Sequence, residues 1–186
     1  MQKTSSRSLK NKPDGMIIRT EDCMSKKPAN FKSCLQPAPK VLVSCRNNQG
    51  ENNALAVAYC CNCSFDPPMV MVGIVPSRYS YQMIKESGCF VVNLAGKNNA
   101  ALFDYLGHTS KWNEDKLSVI GATLSEAVAI NAPVLSDCPV NIECEIVDSI
   151  RTGSHEMFVG KILHVHADES IVAPDGSIDF SAANLL

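Results

Sequence analysis

The residues from Asn52 to Ser80 constrain this chain more than any other stretch. An apolar run from Ala54 to Tyr59 reads as a β-strand, Pro67 and Pro68 break the pattern because proline has no N–H to give a sheet, and a second strand-like run spans Met69 to Val75. Arg78 and Ser80 follow directly. The pattern Tyr81, Ile84, Lys85 with Gly88 just beyond predicts a short helix over Tyr81–Ser87, with Ser80 as its N-cap. A helix start offers free N–H groups and a partial positive charge, and the guanidinium of Arg78 grips two phosphate oxygens at once. This predicts a phosphate site. Taken alone, an Arg-x-Ser pattern is more often an ordinary capped helix with a surface arginine, so the reading needs independent support.

Further strand candidates are Val41 to Cys45, Leu55 to Cys63, Phe90 to Leu94, Val140 to Val147 and Met157 to His166, all rich in valine, isoleucine and aromatics. In the fourth of these, Asn141, Glu143 and Glu145 alternate with Ile142, Cys144 and Ile146, which predicts one face on water and the other on a core. Helical segments are few and short: beside Tyr81–Ser87 there are Asn98 to Leu106, ending at Gly107, and Ser125 to Ile130. The expected fold is mainly β with a few short helices, an antiparallel sheet closed into a barrel or sandwich. No G-x-G-x-x-G is present, so a Rossmann dinucleotide site has no support.

At 186 residues the chain fits one domain able to bury ~70% of its unfolded surface. Charge is uneven. Residues 1–40 hold nine Lys or Arg against three acids, and the remainder holds eight against sixteen. The first segment, about 1–35, is therefore expected to be a basic, disordered extension, with Met24 beginning a plausible chain of its own, and residues 36–186 to be the folded domain. Without aromatic or arginine clustering in that arm, no nucleic-acid partner is expected. No apolar run approaches the ~18 residues that span a bilayer, and residues 1–23 lack the apolar centre of a secretory signal. Nine cysteines, an odd number lying mostly in apolar runs, point to reduced thiols and a cytoplasmic location. Cys60 and Cys63 have C-x-x-C spacing, but in a strand Cys61 and Cys63 share a face while Cys60 points away, so no metal is expected there. His164 and His166 alternate with Leu163 and Val165 and are expected on the solvent face.

Several ordered motifs together resemble the flavin reductase-like family, the FMN-binding split barrels that include flavoredoxins and reductase components of two-component monooxygenases. They are Pro37-x-Pro39, Asn53, Ser64 with Asp66-Pro67-Pro68, Arg78-Tyr79-Ser80, Gly88-x-Phe90-Val91-Val92-Asn93, Asp115-Lys116 and Gly153-x-His155-x-x-Phe158-x-Gly160, spread over residues 37–183. The resemblance implies a Greek-key split β-barrel of the FMN-binding type, usually a homodimer. It also implies roles. Asn53 belongs to the site, backbone groups of Ala56, Val57, Ala58 and Tyr59 run past the flavin, Ser64 closes the same wall, and Arg78 and Ser80 take the phosphate. Thr109, Ser110 and Lys111 stand where the family usually reads Ser-Gly, and Ser110 and Lys111 are expected to add phosphate contacts. His155 borders the face where the nicotinamide stacks, its task being orientation, since hydride transfer to a flavin needs no protein acid. Otherwise His155 is a turn residue satisfying nearby backbone. Related chains continue past an Ala-Asn-Leu-Leu-like segment, so a missing C-terminal element is expected.

Three functions fit these residues. The first is a flavin reductase that draws electrons from NADH or NADPH through FMN. The second is a flavoredoxin-like carrier with tightly held FMN and a redox partner protein. The third is a non-enzymatic flavin-binding module.

Overall fold

The computed structural model describes residues 26–186. Contacts divide the chain into two units, 1–36 and 37–186. In the first, residues 26–36 form turns and bends without a helix or strand; most of the expected extension and the Met24 start lie outside the described residues.

The second unit carries nine strands: β1 Val41–Arg46, β2 Asn52–Val57, β3 Tyr59–Ser64, β4 Met69–Ile74, β5 Cys89–Leu94, β6 Leu124–Glu126, β7 Pro133–Leu135, β8 Val140–Thr152 and β9 His155–Ala167. Three α-helices accompany them: α1 Tyr79–Ser87, α2 Ala100–His108 and α3 Lys116–Ile120. Seven strands form one antiparallel sheet in the order β2-β1-β5-β8-β9-β4-β3, and β6 pairs with β7. β2 and β3 are thus opposite edges, yet only Ala58 separates them in sequence. Laid flat, seven strands would hold their edges about 29 Å apart, whereas Val57 and Tyr59 lie within about 7 Å along the chain. The sheet must curl until its edges meet at this corner. That is the split barrel, and it is why the expected single strand Leu55 to Cys63 is two strands with a bend at Ala58.

The barrel interior gathers Val41, Val43, Cys45, Val57, Val72, Phe90, Val92, Cys144 and Phe158, with Met83 and Ile84 of α1 packed against them. On the other face of β1 and β2, Leu42 and Ala54 pack with Leu102 and Leu106 of α2, Leu117 of α3 and Leu135. β1 is buried on both faces, which accounts for its unbroken apolar sequence. Gly160 has a packing reason to be glycine: a Cβ there would sit 2.6 Å from the Phe90 ring and 2.8 Å from the Cys144 Cβ.

Three expectations about this region need correction. Asn141 and Glu143 do not meet water; they are 5% and 0% exposed, because the 124–138 segment covers β5 and β8. The expected helix Ser125 to Ile130 is also absent. Leu124–Glu126 pairs with Pro133–Leu135, and the N–H groups of Val128 and Ala129 donate to the Glu143 carboxylate at 2.8 and 2.7 Å. Those donors leave no helix to build. Burial works against the Glu143 charge, but these two N–H groups and His166, whose Nε2 lies 2.5 Å from Oε1, hold its carboxyl below the usual range. His166 is accordingly half-buried rather than on the solvent face, while His164 is exposed.

Asn93 ties the layers together. Its Nδ2 donates to Leu42 O and Ser44 Oγ, and its Oδ1 accepts from Leu135 N and Asn141 Nδ2. The C-terminal residues dock beside it, with Leu186 N donating to Ala95 O at 2.9 Å.

Candidate functional site

An open cleft lies where β2, the start of α1, the end of α2 and the 109–116 segment converge. Asn53 sits on β2 opposite Cys45, and it is 2% exposed. Its Nδ2 donates to Ser80 Oγ at 2.8 Å, and its Oδ1 has no partner. A buried acceptor without a donor costs about 1–3 kcal/mol, so a ligand donor reaching it would recover that free energy.

Ser80 is not the N-cap. α1 begins two residues earlier, with Arg78 at the cap position in extended geometry and no side-chain cap bond. Tyr81 N closes the first turn on Arg78 O, which leaves the N–H groups of Tyr79 and Ser80 without an intrahelical acceptor. Ser80 is instead 1% exposed and held by Asn53. The physical reason is that its hydroxyl faces β2, where a buried polar partner competes with the helix terminus.

Gly107, expected to end the second helix, lies within α2, which runs to His108. A Cβ at Gly107 would stand 3.1 Å from the Ala56 Cβ, so glycine lets α2 close onto β2 at the cleft floor. α3, which sequence patterning missed, contributes Lys116. This side chain is 3% exposed, and its Nζ donates to Leu106 O at 3.0 Å and Thr109 O at 2.9 Å, capping the end of α2. Burial, with repulsion from Arg78 and Lys111, pushes the Lys116 pKa down to about 8. The signal in the sequence was the Asp115-Lys116 pair. Lys111 lies beside it, its Nζ 3.5 Å from Asp115 Oδ1, and the exposed Arg78 makes no ion pair among the described residues. Three cations and a helix start therefore share one cleft, an arrangement that attracts an anion.

Of the residues expected to bind, the cleft gathers Asn53, Ala56, Arg78, Ser80, Ser110 and Lys111. The others lie elsewhere. The Val57 side chain is in the barrel interior, Ala58 is exposed at the bend, and Ser64 ends β3 after a bulge at Cys63. Tyr59 instead meets His155 edge-to-face, ring centroids 4.8 Å apart, and Ser154 Oγ lies 2.8 Å from His155 Nδ1. This pair stands at the corner where β2 passes into β3, a step along the chain from the cleft-lining Ala56. Cys61 and Cys63 are exposed and Cys60 is half-buried, its thiol pushed up to about 12 by burial. Among the described residues no group of three or more His, Cys, Asp or Glu is placed to hold a metal ion.

The curled antiparallel sheet defines a split-barrel protein, and solved structures share it. The flavoredoxin of Desulfovibrio vulgaris (Miyazaki F) superposes with a TM-score of 0.79 at 29% identity over 85% of each chain, and that of Methanosarcina acetivorans with 0.79 at 26% over 86% of this chain and 84% of the other. The family model for the flavin reductase like domain matches residues 34–176, and this chain belongs to that family. An Archaeoglobus fulgidus protein is 38% identical over 106 residues, 56% of this chain. The FMN reductase (NADH) RutF of Bradyrhizobium diazoefficiens is 24% identical over 148 residues, 80% of this chain and 79% of its own. The chain spans 60% of the Archaeoglobus relative and 50% of an Aeropyrum pernix relative that is 29% identical over 133 residues.

Proposed function

We propose that the cleft binds FMN and that the protein is an NAD(P)H-dependent flavin reductase. The observation that carries this is the unpartnered, buried Oδ1 of Asn53, a residue lining the cleft that also holds Arg78, Lys111, Lys116 and the start of α1. A hydroxylated chain ending in a phosphate matches that donor set: an O–H reaches Asn53 Oδ1, and the phosphate meets Arg78, Lys111 and the N–H groups of Tyr79 and Ser80. When bound, the flavin accepts a hydride from NADH or NADPH. The chain's own part is to position. The backbone of Ala56 to Tyr59 supports the ring, and His155, packed on Tyr59, orients the nicotinamide. No side chain need move a proton. The NADH-dependent reductase named among the relatives supports this reading.

The likeness to two flavoredoxins, both above 25% identity, favours a second one, in which FMN stays bound and electrons pass to a partner protein. Anaerobic addition of NADH or NADPH to the yellow protein separates them. Rapid bleaching is expected of a reductase, and persistent colour of a carrier. Protein that takes up no flavin would leave neither.

A further inference from the structure

We propose that the cleft continues outward over Trp112 into a second subsite that takes the adenine ring of a dinucleotide, with its diphosphate lying along Lys111 and Arg78. The inference rests on the flavin-phosphate reading of the cleft. Trp112 is the chain's single tryptophan and is 71% exposed. It follows Lys111 directly and packs edge-to-face on Tyr79, with centroids 4.7 Å apart and planes at 73°; Lys111 and Tyr79 both line the cleft. An edge-to-face contact uses one ring's edge, so much of the indole surface stays open to a planar partner.

The ring is also held in place. Ser110 Oγ accepts from Trp112 N at 3.3 Å, Lys111 reaches Asp115, Tyr105 donates to Glu114 at 2.7 Å, and Tyr79 donates to Glu51 at 3.3 Å. A pre-positioned indole loses little conformational freedom when a base stacks on it, and base stacking tolerates any purine face. Cations beside an exposed aromatic ring recognise an adenosine diphosphate group. Of the flavin and nicotinamide cofactors, FAD and the nicotinamide dinucleotides carry one, whereas FMN does not.

The test uses the full chain freed of flavin. ADP is expected to quench and shift the emission of Trp112, and inorganic pyrophosphate is expected to leave it unchanged. By calorimetry, FAD should bind about tenfold more tightly than FMN. Trp112→Ala should bring the two within about twofold, and Trp112→Phe should keep most of the difference. Saturating FMN is expected to abolish ADP binding, because the flavin phosphate occupies Arg78 and Lys111 and the adenine is then that of FAD; ADP that still binds beside saturating FMN would overturn the placement of the diphosphate on those two cations. The proposal is overturned if FMN binds, ADP leaves Trp112 emission unchanged, and Trp112→Ala does not alter the ratio of FAD to FMN affinity. Failure of FMN itself to bind would instead remove the flavin reading.

Discussion

Asn53 and Ser80, 27 positions apart, bury their side chains against each other, with Nδ2 donating to Oγ at 2.8 Å. The bond fixes the start of α1 to β2 and leaves Asn53 Oδ1 as the one buried side-chain polar atom without a partner among the described residues. Asn53→Ala removes both functions. We expect the flavin-free protein to lose about 1 kcal/mol of stability by urea unfolding, and FMN affinity to fall about five- to tenfold. Unchanged FMN affinity would show that the orphan oxygen does not face the ligand.

Arg78→Ala should weaken FMN about tenfold to a hundredfold, since it removes a charge-assisted bidentate contact, and leave riboflavin nearly unaffected. Ser80→Ala should cost stability more than FMN affinity, because its hydroxyl serves Asn53 rather than the helix end. Titrations of both flavins at matched salt check this. Equal weakening of FMN and riboflavin by Arg78→Ala would assign the guanidinium to the fold.

Lys116 should make FMN binding depend on pH. Its pKa of about 8 in the free protein rises when a phosphate dianion arrives, so binding takes up protons near and above that pH. The contribution is complete below pH 8 and declines as pH climbs through 8 toward the pKa of the complex. FMN affinity measured from pH 7 to 10 should therefore fall, while riboflavin, which lacks the phosphate, should stay flat.

Glu143 predicts a different pH effect. Its folded pKa lies below the ordinary value of 4.5, so its stabilisation is present above that value and is lost as pH falls through the folded pKa. Glu143→Gln should lower stability at pH 7 by about 1–3 kcal/mol and flatten the acid limb of the stability curve. Amide exchange should quicken at Val128 and Ala129, the two donors that lose a charged acceptor. Retained protection there would mean that the hairpin β6–β7 alone holds the segment.

Val147, Ile150, Leu163 and Val165 leave β8 and β9 with exposed apolar side chains. A second copy of the chain is the expected cover, and sedimentation at micromolar concentration should give about twice 20.1 kDa. A monomer that still binds FMN would show that one chain completes the site.

Strand identity and the cleft position of Arg78 and Ser80 were legible because each is local. Valine-rich runs, Pro67-Pro68 and Arg78-x-Ser80 carry their meaning within a few residues, and family motifs carried the fold. What tertiary structure decided was set by partners far along the chain. Ala58 is a bend only because β2 and β3 pair at opposite ends of the sheet. Ser80 leaves the helix cap because Asn53 lies across from it, and Lys116 enters the cleft because the end of α2 offers it two carbonyls. The alternation at Asn141 and Glu143 likewise marks two faces, but which face water reaches depends on where the 124–138 segment lands. Local sequence fixes which groups a residue offers to its neighbours; only the closed barrel brings those neighbours within hydrogen-bonding distance.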